Sequence, residues 1–212
     1  GKTTTSKKEI ASDLNIFYSK DYKSDIIFMN KKNKYAHYKN SNFHLLELPY
    51  KTNDVSMLIF LPELNLDIDL FLDNFNHSFI NTSLDSLQYD LGKISIPKFK
   101  LNYSVPLKDY LLNMGIIDAF SPNNANFDKF WDYKNKCKKY PPINYIDVIN
   151  HKSFINIDEY GTEASAVTAV IINRVTSIRP NEYFTFNANR PFVYLIYDKK
   201  NNRIMFLGKY TG

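Results

Sequence analysis

The sequence predicts an α+β fold in which strands dominate. Three observations carry that prediction. Most of the 212 residues fall into short apolar or alternating runs, the period-two pattern of strands. Two pairs of these runs are joined by short polar links, KTND (Lys51–Asp54) and DKKNN (Asp198–Asn202), which suit hairpin turns. Helical spacing of apolar residues is confined to a few short segments.

The elements follow in chain order. IIFMN (Ile26–Asn30) is the first strand. FHLLELPY (Phe43–Tyr50) and SMLIFLPE (Ser56–Glu63) form the first hairpin, and the second run is apolar enough to be buried on both faces. A helix is expected over Leu66–Phe75, where Leu66, Leu70, Leu72 and Phe75 sit near helical spacing; a weaker one covers Ser83–Tyr89. GKISIPKFKLN (Gly92–Asn102) alternates as a strand around Ile94, Ile96 and Phe99. VPLKDYLLNMG reads as a short helix, with Pro106 in its first turn and Gly115 as its stop. An irregular polar stretch, Ile116–Tyr145, holds the single tryptophan, Trp131. VINHKSFINIDE (Val148–Glu159) alternates as a strand, and three more strands fill Glu182–Tyr210, the last two forming the second hairpin.

Bulk composition excludes several classes. The chain is 44% hydrophobic and 16% aromatic, enough for a real core and unlike a disordered segment. The net charge of +5 is spread out apart from KNKCKK (Lys134–Lys139), which reads as a solvated loop. No basic-aromatic stripe marks a nucleic-acid module. No run of eighteen apolar residues exists, so no membrane span is expected. The single cysteine, Cys137, forbids an internal disulfide and has no evident catalytic partner. GKTTTSKKEI is not a signal peptide, and the missing start methionine suggests a fragment. The sequons at Asn76, Asn81 and Asn102 are what an Asn-rich composition produces by chance.

Catalytic and metal chemistry find little support. His37, His44, His77 and His151 form no H-x-x-x-H pair and stand beside no cysteine pair, so no metal is expected. Neither a G-x-S-x-G elbow nor a phosphate loop is present, and the chain is not expected to be an enzyme. One stretch is ambiguous. EYGTEASAVTAVIINR (Glu159–Arg174) begins with small residues, turns β-branched and ends on an arginine, suiting neither a surface loop nor a core strand.

The motif order resolves the ambiguity. FHLLELPY…SMLIFLPE, ISIPKFKLNYSVPLKDYLLNMGIIDAFSPNNANF, HKSFINIDEYGTEASAVTAV and FNANRPFVYLIYD…RIMFLGKY occur in that sequence. From about Ile10 to Tyr210 the chain resembles a serpin, a serine protease inhibitor of the suicide-substrate type. TAVIINR followed by FNANRPF is similar to antithrombin-type loops, and FHLLELPY and GKY to poxviral members. The resemblance implies the serpin fold, mostly antiparallel sheets with packed helices, of which these residues are the C-terminal half only. It implies that residues 1–212 are the C-terminal portion of a single serpin domain. The hinge and reactive-centre loop would lie at about 159–182, and the N-terminal half of the fold would be a required partner.

It also implies a mechanism. A target protease cleaves the loop, which then inserts into the central sheet and carries the acyl-linked protease with it. The hinge would comprise Glu159, Gly161, Thr162, Glu163, Ala164, Ser165, Ala166, Val167 and Thr168. A strand sends alternate side chains to opposite faces, so Thr162, Ala164, Ala166 and Thr168 share one face and all are small. The reactive bond would be Arg174–Val175, which suits a trypsin-like serine protease and a covalent acyl complex. Arg179 precedes Pro180, a poor bond for such enzymes. Counted by the common family loop length the bait is Val175, which would point to elastase-like targets. His151 matches the central-sheet histidine at the opening point of the sheet, and Lys98 matches a lysine expected to pair with Glu159.

No cofactor is required by this reading; a glycosaminoglycan is left open, with KNKCKK a weak substitute for the family's usual basic helix. Loops of this type point to a secreted, extracellular protein. The competing readings are a non-inhibitory serpin-fold carrier, chaperone or other binding protein, and a truncated fragment. No nucleic-acid or membrane partner is expected.

Overall fold

The computed structural model describes residues 11–127, 129, 144–159 and 183–212. Gly161–Thr168 of the expected hinge, the Arg174–Val175 bond, Trp131 and Cys137 with its lysine cluster lie outside the described residues. The chain divides into two compact units, Gly1–Phe99 with Ile157–Gly212, and Lys100–Asn156.

The first unit is built on one continuous sheet. Its strands are β1 (Ala11–Tyr18), β2 (Lys23–Lys39), β3 (Phe43–Pro49), β4 (Val55–Pro62), β5 (Gln88–Pro97), β8 (Phe184–Asn187), β9 (Phe192–Asp198) and β10 (Arg203–Tyr210). The order is β10-β9-β4-β3-β2-β5-β8, with β1 also paired to β2. The 17-residue β2 makes this possible: it pairs antiparallel with β1 over 23–30, with β5 over 28–37 and with β3 over 36–39. Within this sheet, among the described residues, only β5 and β8 are parallel, with Gly92 opposite Phe184 and Ser95 opposite Asn187.

The hairpin β3–β4 forms as its sequence requires. Asn53, at φ 57°, supplies the left-handed residue of the KTND link, where an asparagine is tolerated. Every residue of β4 from Ser56 onward is buried, as its unbroken apolar run demands. One face of β3, β4 and β9 presents Phe43, Leu45, Leu58, Phe60, Val193, Leu195 and Tyr197. Two short helices close over it. Helix α1 (Ile68–Asp73) is capped by Asp67, whose carboxylate accepts from the Asp69 N–H at 2.8 Å. Helix α2 (His77–Asp85) is capped by Asn76, which accepts from the Phe79 N–H at 2.9 Å. Phe71 and Ile80 are their buried contacts, and Phe43, Phe60, Phe71, Phe75 and Phe79 form a connected aromatic cluster with centroids 5.1–6.4 Å apart. Full burial of each such side chain contributes roughly 1.5–3 kcal/mol.

The second unit holds β6 (Phe99–Pro106) from Lys100 onward, α3 (Lys108–Asn113), a 3₁₀ turn at Asp118–Phe120 and β7 (Asn150–Ile157) as far as Asn156. β6 and β7 pair as a two-stranded sheet. The Leu107 N–H donates to the Ile149 carbonyl at 2.8 Å, and Lys100 Nζ lies 5.4 Å from the Phe154 ring centroid. Gly115 adopts φ +88° and ends α3, as expected.

Three sequence expectations need correction, and one strand, β1, has no counterpart among them. The second helix covers 77–85, not 83–89, because the Asn76 cap sets its start. The strand expected over 92–102 is two strands that break at Lys98: β5 pairs with β2 and β8, β6 with β7. Pro106 ends β6 and is not in the first turn of α3. β1 carries no readable strand pattern, since only Phe17 among its eight residues is buried.

Candidate functional site

The described chain anchors both ends of the segment 160–182. The first anchor is Glu159, two residues beyond β7. Lys98 reaches this carboxylate from the β5–β6 break and forms an ion pair with it. Ser12 Oγ on β1 donates to the same carboxylate at 2.7 Å. Lys98 is itself fixed, because its backbone N–H donates to the Ile27 carbonyl at 2.8 Å. The hydrogen bond from Lys98, then the one from Ser12, hold the Glu159 carboxyl down to about 2. Both partners remain partly exposed, so the contact is a positioned surface bridge.

The second anchor is β8. Its first residue, Phe184, lies flat on the His37 imidazole, with centroids 3.6 Å apart and planes 16° from parallel. The far edge of the ring rests over Gly92, where any Cβ would overlap it. His37 is in turn fixed from two sides. Its Nε2 lies 3.3 Å from Asp90 Oδ2, and its Nδ1 lies 3.1 Å from His44 Nε2. With the carboxylate as acceptor, His37 Nε2–H donates to Asp90 and His44 Nε2–H donates to His37 Nδ1, a tautomer assignment inferred from the partners. His44 is 4% exposed and meets Phe184 and Phe186 edge-on at 5.7 and 4.9 Å. Burial first, then the neighbouring His37, Lys39 and Arg190, push it down to about 4. Just past β8, Arg190 Nε donates to the Pro62 carbonyl at 2.8 Å, and its guanidinium lies 3.7 Å from Glu63.

Of the site residues expected from sequence, Glu159 and Lys98 are brought together. His151 is on β7, exposed. The His37–His44 contact was not read from sequence. A tight turn at Asn40–Asn42, where Asn40 Oδ1 accepts from the Asn42 and Phe43 N–H groups, folds β3 back on β2 and places the two rings side by side. Two histidines flanking an Asn-Ser-Asn turn were the available signal. Among the described residues, no group of three His, Cys, Asp or Glu side chains is arranged to hold a metal ion. No described helix is long and apolar enough to cross a membrane.

Comparisons with known proteins agree with the sequence resemblance. The family model described as Serpin (serine protease inhibitor) matches residues 8–212. Serpin B10 of Papio anubis is 35% identical over 192 residues, covering 87% of this chain and 44% of that protein. Serine proteinase inhibitor 2 of Variola virus is 32% identical over 211 residues, covering 97% of this chain and 57% of that protein. Among solved structures, the thermophilic serpin tengpin in its native state superposes with a TM-score of 0.73 at 26% identity, over 97% of this chain and 52% of its own. The chain spans about half the length of the relatives it matches.

Proposed function

Because this chain belongs to the serpin family and carries part of the serpin fold, we propose that it is the loop-bearing portion of a suicide-substrate inhibitor of a trypsin-like serine protease. The observation that carries the reading is the alternation of small residues at Thr162, Ala164, Ala166 and Thr168. A loop that must become a buried strand can place small side chains in a packed interior with little overpacking.

The chemistry follows from that requirement. The Arg174 guanidinium pairs with a carboxylate at the base of the protease's specificity pocket. The protease serine attacks the Arg174 carbonyl carbon, the C–N bond to Val175 breaks, and Val175 leaves with a protonated amine. The new N-terminal arm, still esterified to the protease, adds as a strand to the central sheet before water reaches the ester. The free energy comes from pairing a strand that the uncleaved state leaves unpaired. The ion pair of Lys98 with Glu159 holds the start of that arm until cleavage. The N-terminal half of the fold must contribute the rest of the central sheet.

The test is a denaturing gel of the complete protein, purified from its source, mixed with trypsin. A covalent band at the summed mass, lost in Arg174→Ala, is the expected result. Persistence of the band in Arg174→Ala would move the bait to Val175. Clean cleavage without the band would sink the inhibitory reading and leave a serpin-fold binding protein.

A further inference from the structure

We propose that His37 is a positioning residue that locks β8, the strand into which segment 160–182 runs, against β5. The inference deepens the proposed function, since it rests on that reading for its consequence: a loop tethered at β8 cannot draw out its C-terminal strand while it waits for a protease.

The geometry makes the lock specific. β8 is only four residues long and, among the described residues, pairs with one neighbour, β5. Four backbone pairings on an edge are a weak hold, because such strands are drawn from the low-stability end of a fold. Side chains therefore decide whether β8 stays. Phe184 is the first residue of the strand, and its ring is held on two sides by the His37 face and the bare backbone at Gly92. Phe186, two residues on, is fully buried against His44. One imidazole thus touches Phe184, and the second touches both aromatics of β8.

His37 fits this task because both of its nitrogens are used. A ring free to rotate would offer Phe184 no fixed face. Asp90 on β5 and His44 on β3 hold the ring plane from opposite edges. A phenylalanine at position 37 would keep the stack without the orientation, and an alanine would remove both. The charged and titratable groups around this cluster are Asp90 on β5, His44 on β3, Lys39 on β2, and Arg190 after β8, with Glu63 paired to both cations. A proton added to His44 is opposed by His37, Lys39 and Arg190, and the nearby Glu63 is already paired with the last two, so acid loosens the lock.

The experiment reads β8 directly and needs no protease. Backbone hydrogen exchange is followed at Phe184–Asn187 and, as an internal reference, at β9 and β10. In His37→Ala exchange at β8 rises about tenfold or more, the loss expected of one ring stack and its hydrogen bonds. In His37→Phe the rise is smaller, and in both variants the reference strands keep their wild-type protection. After correction for intrinsic rates, lowering the pH from 7 to 4 raises β8 exchange in the wild type and not in His44→Gln. Unchanged β8 exchange in His37→Ala overturns the proposal, as does an equal rise in all three strands. Failure here leaves the covalent-complex assay untouched, and failure of that assay leaves the lock standing, so the two readings are separated.

Discussion

Glu159 and Lys98 meet as an ion pair where β5 ends and the segment after β7 begins, and Ser12 of β1 completes the contact. Three separate stretches of chain are thereby joined at the entry of segment 160–182.

The pair gives a pH signature. Glu159 titrates at about 2 in the folded chain against 4.5 for an unperturbed glutamate. Its contribution is therefore complete above about 4.5 and is lost as pH falls toward 2. Thermal unfolding of the wild type and Glu159→Gln should differ most near neutral pH and converge below pH 2. A difference that stays constant across that range removes the pair from the account.

His44 runs in the opposite chemical sense with the same slope. Its folded value of about 4 lies below the usual 6.5, so between these values the unfolded chain binds the extra proton. The His44 contribution to stability should fall as pH is lowered from 6.5 to 4 and level off below. Denaturant midpoints of the wild type and His44→Gln, measured across that window, should show the slope reduced in the variant.

Gly92 is required by Phe184, not by a turn. A methyl at 92 overlaps the ring, so Gly92→Ala should cost about 1–3 kcal/mol as overpacking. Adding Phe184→Ala should recover part of that loss. A double-mutant cycle by denaturant unfolding measures the coupling; simple additivity would contradict the contact.

The helix layer offers a calibration. Ile80 is fully buried and Leu70 is 61% exposed. Ile80→Ala should lose about 2–5 kcal/mol of unfolding free energy, while Leu70→Ala should stay within about 0.5 kcal/mol.

A bulky charge in the proposed hinge tests the insertion argument. Thr162→Arg should convert the complete protein from inhibitor to substrate, with the covalent band with trypsin replaced by cleaved product. An undiminished band would show that position 162 does not enter a packed interior.

The apolar runs of β3 and β4 and the two hairpin links were legible because both depend on residues near in sequence. Gly115 stops α3 for an equally local reason, its positive φ. β1 was not legible, since a strand with one buried residue in eight leaves no period to read. The start of α2 escapes a count of apolar residues, because it is set by the Asn76 cap. The break at Lys98 depends on which strands pair, and pairing is a non-local choice.

The same division separates the two anchors. The strand-rich class, the motif order that identifies the family and the small-residue alternation from Thr162 to Thr168 are all written in runs of neighbouring residues. The convergence of His37, His44, Asp90, Gly92 and Phe184 is not written in any such run, since they come from β2, β3, β5 and β8. Their proximity is set by strand register, and register is fixed by burial across the whole sheet, which no single segment encodes.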